Sequence, residues 1–242
     1  FGGEIREKWH NDRLEIIYED AEELEAVPYD MMVSGYDSKA VSVLRLWKAK
    51  AVQNFDMKLF SQGDYASVMK DDNEAELISK VLYPADNHVE GKSLRLKQQY
   101  FLVSASIQDI VRRHLAKYGT LDNFAEKVAV HINDTHPALS IPELMRIMLD
   151  ECGYTWDEAW AIVTKTVGYT NHTVMREALE CWNEELFRQR LPRIHQIVQE
   201  INRRFHGEIV SKTGNWDLAN RISIIDNKVV RMANLSIAGS HS

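Results

Sequence analysis

The sequence predicts an α/β fold, and three observations carry the prediction. Residues 128–132 form a short β-branched apolar run, followed by the polar loop 133–137 and then an apolar-periodic segment through Leu144, Ile147 and Met148. The same order of strand, polar loop and helix returns at 167–169 and 170–173. Between and around these runs, apolar residues recur at helical spacing. Strands that alternate with helices imply layered α/β architecture, in which ligands meet the carboxyl ends of the strands.

Taken in order, residues 1–69 read as an extended, β-rich part and 70–242 as helices and α/β units, all within a single domain fragment. The runs 14–18 and 25–29 read as strands, and 40–62 is mixed. A helix is predicted over 71–82, with Asp72 and Asn73 as caps and a stripe of Ala75, Leu77, Ile78, Val81 and Leu82. Pro84 stops it. The polar loop 85–91 leads to a long helix from about Leu94 to Tyr118, ended by Gly119. A helix over 157–165 precedes the second polar loop, and two helices follow it. The second of these carries Ile194, Ile197, Val198, Ile201 and Phe205, with Gly207 closing it. Residues 222–225, the turn Asp226-Asn227 and residues 229–232 read as strand, turn, strand.

Hydrophobic residues make up 45% and charged residues 27% of the 242, the composition of a soluble globular chain. A net charge of −7 with interspersed signs argues against nucleic acid, which needs clustered Lys and Arg. Two cysteines, Cys152 and Cys181, make no disulfide framework and fit a reducing, cytoplasmic setting. No apolar run approaches the ~20 residues of a membrane span. The chain starts at Phe1 without Met and ends just after an apolar stretch, which leads us to expect an internal piece truncated at both ends.

Chemistry concentrates in the two polar loops. Each gathers amides, hydroxyls and a histidine between a strand and a helix, groups suited to sugar hydroxyls or phosphate oxygens. Asn, Asp and Thr ahead of a helix also serve as caps, so for either loop both readings stand; finding two in one domain favours a site. His131, Asp134 and His136 invite a metal reading, but there is no His-Glu-x-x-His register and no metal is expected. Neither a Gly-x-Gly-x-x-Gly nor a Walker loop is present. Arg112 and Arg113 are helix neighbours expected to point in different directions on a solvated face. Residues alone reach an α/β domain with a polar cleft, without a reaction.

The same loops carry a resemblance. Residues 130–137 (VHINDTHP) with 141–146 (IPELMR), 169–173 (YTNHT) with 177–180 (EALE) and Trp182, then 191–193 (LPR), 201–205 (INRRF), 232–235 (MANL) and 238–241 (AGSH) closely resemble the α-glucan (glycogen/maltodextrin) phosphorylases. Earlier, 28–30 (PYD), 44–47 (LRLW), 81–84 (VLYP) and Gly91-Lys92 through Tyr100-Phe101 match as well. The matches run collinearly over essentially the whole chain.

The resemblance implies a Rossmann-like N-terminal half of a GT-B glycosyltransferase-type fold. It implies release of glucose 1-phosphate from an α-1,4-glucan with inorganic phosphate, aided by pyridoxal 5'-phosphate. The lysine that attaches this cofactor is not expected on this chain, so the fragment alone is expected to be inactive. His172 matches the histidine that touches the transferred glucose. Asp134, His136 and Thr173 match residues along the glucan path, and Asp86 and Asn87 match an acidic gate loop. Arg112 and Arg113 match a pair that binds an activator's phosphate in regulated members, and 71–82 matches a helix at the homodimer contact. His88 and Val89 depart from the aromatic residues of regulated animal members, so their purine site is not expected. Two other readings compete: a non-catalytic glucan-binding or dimerisation module, and half of a nucleotide-sugar glycosyltransferase.

Overall fold

A computed structural model describes residues 1–10, 13–52 and 57–241. The chain divides into two compact units, Phe1–Ala21 with the residues from Ser106 onward, and Glu22–Ala105.

The first unit opens with an antiparallel hairpin, β1 (Glu4–His10) and β2 (Arg13–Glu19), paired from Glu4↔Glu19 to His10↔Arg13. The predicted strand at 14–18 lies within β2.

The second unit holds a longer antiparallel ribbon, β3 (Leu24–Ser34) and β4 (Val41–Ala51), in register from Leu24↔Ala51 to Ser34↔Val41. The predicted strand at 25–29 extends into β3. β4 occupies much of the stretch whose sequence reads as mixed; residues 53–56 of that stretch lie outside the described residues. Opposed Asp30 and Arg45 close a two-pronged ion pair at 2.6 Å, and the Arg45 guanidinium sits 5.6 Å from the centre of the Trp47 ring. Helices α1 (Met57–Ser61) and α2 (Tyr65–Lys80) follow. Buried Ala49 of β4 donates its backbone N–H to Ser79 Oγ of α2 at 3.1 Å, fixing strand to helix.

Helix α2 starts earlier than the sequence suggests. Asp64, not Asp72 or Asn73, is its N-cap, its carboxylate accepting the Ser67 N–H at 3.2 Å. Gly63 at φ +80° turns the chain into that cap. The long helix α3 (Val89–Tyr118) likewise begins five residues before Leu94. The His88 imidazole accepts the Gly91 N–H at 2.9 Å, satisfying a first-turn donor that helical hydrogen bonding leaves open. Gly119 at φ +74° ends α3 as predicted, its N–H donating to Leu115 O.

The rest of the first unit starts with α4 (Phe124–Lys127) and β5 (Val130–Asn133). Strand β5 begins at Val130 rather than Val128 because Val128 is the C-cap of α4. Then come α5 (Ser140–Arg146), one π-helical turn over Ile147–Glu151, α6 (Trp156–Thr166) and β6 (Val167–Thr170). Thr155 and Glu158 form a reciprocal capping box at the start of α6. Strands β5 and β6 pair in parallel, Val130↔Val167 through Asn133↔Thr170.

After a short 3₁₀ turn, β7 (Cys181–Asn183), α7 (Glu184–Arg190), α8 (Pro192–Thr213), α9 (Trp216–Arg221), β8 (Ile225–Asp226), β9 (Val229–Arg231) and α10 (Met232–Ala238) complete the unit. The last three strands make a small sheet in the order β7-β9-β8. Its turn centres on Asn227 and Lys228, at φ +50° and +62°, one residue later than expected. Ile222 caps α9 and Met232 opens α10, so both predicted strands are shorter than the apolar runs that suggest them.

Helix α8 runs past Gly207 and ends at Gly214, φ +65°. Apolar Ile209 and Val210 continue the helical stripe, and an exposed interior glycine costs only about 1 kcal/mol against alanine.

The core lies around α5, buried along its whole length, with Phe124, Met148, Phe187, Ile194, Ile197, Val198 and Ile201. Charge enters this core in pairs. Arg146 grips fully buried Glu143 through two bonds of 2.9 Å and reaches Glu151 at 2.7 Å. Arg193 grips Asp150 at 2.6 and 2.9 Å, while the Tyr18 hydroxyl donates to the same carboxylate at 2.7 Å. Tyr18 is 42% exposed overall, but desolvation around its hydroxyl beside Asp150 raises its ionisation above the ordinary value. Among the described residues no helix is long and apolar enough to cross a membrane.

Candidate functional site

The two polar loops predicted as a site meet at one edge of the first unit, because their strands pair in parallel. Parallel pairing puts the carboxyl ends of β5 and β6 side by side. Asp134 continues the ladder for one residue beyond β5, donating its N–H to Thr170 O at 2.8 Å. It then turns away in the left-handed region at φ +62°, which Asp tolerates better than most residues. Its own carboxylate accepts the Thr135 N–H at 2.7 Å.

His131 and Asn133 share one face of β5, and both reach across to β6 and its loop. His131 Nε2 lies 2.6 Å from Thr170 Oγ1, and His172 Nε2 lies 2.5 Å from Asn133 Oδ1. The His172 loop is folded locally. Asn171 donates its side-chain amide to Thr173 O at 2.5 Å, and Thr173 Oγ1 accepts the Met175 N–H at 3.2 Å. His172 is exposed and Thr173 half-buried, so the loop presents an imidazole and hydroxyls to solvent from a braced base.

Glu180 braces the first loop from beyond the second. Its carboxylate accepts from the Thr135 hydroxyl at 3.4 Å and stands 3.4 Å from His136 Nδ1, while its backbone carbonyl accepts the Met232 N–H at 3.1 Å. Asp134, His136, His172 and Thr173 are therefore on the same strand ends. The sequence marks Asn133 only as the first residue of a polar loop, and it does not single out Glu180 or Tyr169 as site residues. Tyr169 of β6 has a buried hydroxyl with no hydrogen-bond partner among the described residues. Burial raises its ionisation, and the Asp134 charge adds to that. Asn133 and His172 are 39 residues apart, a separation that only the strand register makes meaningful.

The remaining predicted residues lie elsewhere. Asp86 and Asn87 are exposed in the second unit, ahead of α3. Asp86 accepts from Arg95 Nη1 at 3.0 Å, and the Arg95 guanidinium lies 5.4 Å from the centre of the Tyr83 ring. Arg112 and Arg113 correct the expectation that they diverge. Both bend back one helical turn onto the buried Asp109 carboxylate, at 2.7 and 2.8 Å. The flexible stems of arginine make i,i+3 and i,i+4 pairs with one acid reachable together. Both side chains stay mostly exposed. No three His, Cys, Asp or Glu side chains converge to hold a metal among the described residues.

A sequence model of the carbohydrate phosphorylases matches residues 1–242. The chain is 47% identical over 223 residues to a glycogen phosphorylase of Synechocystis, covering 90% of this chain and 26% of that protein. It is 48% identical over 229 residues to the muscle form of glycogen phosphorylase from Ovis aries, covering 90% and 27%. With the glycogen phosphorylase of Pasteurella multocida, identity is 45% over 245 residues, covering 100% and 30%. The chain thus spans only 26–30% of the length of these curated relatives.

Proposed function

Because the chain belongs to the carbohydrate phosphorylase family, we propose that it forms part of an enzyme that releases glucose 1-phosphate from an α-1,4-glucan with inorganic phosphate. The observation that carries this reading is the meeting of the loops 133–137 and 170–173 at the ends of two parallel strands, with His172 hydrogen-bonded to Asn133. In this reading the parent is a cytoplasmic GT-B enzyme, and β5 and β6 belong to the Rossmann-like sheet of its N-terminal half, with α5 and α6 in the connection between them.

His172 contacts the glucose being transferred, and its loop carbonyls face the positive charge that develops on the ring. Asp134, His136 and Thr173 line the path of the remaining glucan by hydrogen bonding to sugar hydroxyls. A braced site suits that task, since ordered side chains lose little entropy when sugar binds. Asp86 and Asn87 form a gate loop tethered by Arg95. Arg112 and Arg113 are the candidates for an effector's phosphate, beside the Asp109 carboxylate that both already hold. Helix α2 supplies a contact to a second copy of the parent.

Pyridoxal phosphate does not fit the lysines present here as an attachment point. Every lysine is exposed except half-buried Lys97, which is paired with Glu22. An amine that forms a Schiff base has to be desolvated or otherwise lowered in pKa. In this reading the attachment of that cofactor falls to a lysine outside these 242 residues.

The test is phosphate-dependent release of glucose 1-phosphate from maltodextrin by the parent polypeptide, with His172→Ala beside it. The reading requires activity in the parent and a loss of about 100-fold or more in the variant, the scale of misplacing a reacting group.

A further inference from the structure

We propose that Asn133 is a positioning residue that fixes the tautomer and orientation of His172; the inference rests on the functional reading above. The carbonyl oxygen of an amide side chain only accepts hydrogen bonds. With Asn133 Oδ1 2.5 Å from His172 Nε2, the neutral imidazole carries its proton on that nitrogen and leaves Nδ1 as the acceptor. The imidazole therefore offers a lone pair, not an N–H, to a hydroxyl of a bound sugar. A hydrogen bond at one ring nitrogen sets the role of the other.

The bracing around this pair is two-sided. Asn133 is the last residue of β5 and pairs in register with Thr170, two residues before His172. His131, two residues earlier on the same face, makes the equivalent diagonal contact to Thr170 Oγ1 at 2.6 Å. Both contacts join residues 39 apart, so one strand register sets both. From the other side, Asn171 donates its side-chain amide to Thr173 O at 2.5 Å, bracing the residues that flank His172. The Asn133 side chain serves the loop opposite.

The parent polypeptide, labelled with ¹⁵N in histidine, tests the inference, with the His172 signal assigned through its loss in His172→Gln. In the wild type we expect the two-bond ¹⁵N–¹H pattern of the Nε2–H tautomer at His172. Asn133→Leu removes the acceptor; we expect an averaged pattern and a fall in kcat of about 100-fold with a much smaller change in KM. Asn133→Asp restores an acceptor oxygen, and we expect it to keep Nε2 protonated and to recover most of the lost kcat. An Nδ1–H tautomer in the wild type overturns the proposal. So does an unchanged pattern and kcat in Asn133→Leu. The wild-type signature does not depend on turnover, so it decides the proposal even if Asn133→Leu fails to fold. A parent without phosphorolysis would sink the functional reading while leaving the tautomer result to stand separately.

Discussion

At Gly91, in the first turn of α3, an added Cβ would stand 1.7 Å from the Ala85 carbonyl oxygen. That oxygen is backbone and has no rotamer by which to move aside. Gly91→Ala is therefore expected to destabilise the protein by about 1–3 kcal/mol, the usual cost of overpacking. Gly207 is the contrasting case, exposed in the middle of α8 with nothing within 4 Å of the place an added methyl would take. Gly207→Ala is expected to stabilise by about 0.5–1 kcal/mol through helix propensity and the unfolded chain. Chemical denaturation of both variants beside the wild type checks the pair, and equal signs would contradict the geometry. The arginines teach a related point. Adjacency on a helix suggests that Arg112 and Arg113 diverge, yet both reach Asp109, because the sequence does not show where a long side chain bends.

Elements were legible in proportion to their local signal. Strands β5 and β6 are compact apolar runs between polar loops, and α8 carries a long apolar stripe; both patterns show in the sequence. Strand β7 does not, because its three residues owe their pairing to β9 rather than to any period of their own. Boundaries drifted where tertiary context or a cap decided them, as with Asp64 for α2 and Gly214 for α8. The site was half legible: the two loops, Asn133 and His172 among them, stand out as polar clusters, whereas the pairing of Asn133 with His172 and the bracing by Glu180 depend on partners distant in sequence.

Two predictions belong to elements. Removing Arg193 leaves Asp150 buried without its main cation, so Arg193→Met is expected to cost about 3–5 kcal/mol. Tyr18→Phe removes only one hydrogen bond to the same carboxylate and is expected to cost about 1–2 kcal/mol. Equal losses in thermal unfolding would refute that ranking. On α8, hydrogen bonding to Arg203, with Arg204 beside it, lowers the Glu200 carboxyl from 4.5 to about 2. A depressed carboxyl stabilises the fold above its unfolded value and loses that contribution as pH falls through the folded one. Stability should thus decline between about pH 4.5 and 2, and Glu200→Gln should flatten that part of the acid limb. An unchanged acid limb in Glu200→Gln would show that the pair contributes nothing measurable, as exposed pairs often do.

At the scale of the molecule, the β3–β4 ribbon is the exceptional surface. Tyr29, Met31, Met32, Val33, Val43, Leu44 and Leu46 are all exposed on it. A ribbon of two strands is marginal in water, and apolar patches on open strands invite association. The isolated 242 residues are expected to self-associate, which light scattering after gel filtration would show; a monodisperse monomer at high concentration would count against this. Family membership was legible because motifs spread over the whole chain occur in one order, whereas composition and periodicity alone led no further than an α/β domain with a polar cleft.

The most direct measurement is glucose 1-phosphate release from maltodextrin and phosphate by the parent polypeptide, with these 242 residues assayed beside it in the presence of pyridoxal phosphate. We expect release by the parent and none by the 242 residues alone. Release by the 242 residues alone would contradict that expectation, and release by neither would contradict the proposed reaction.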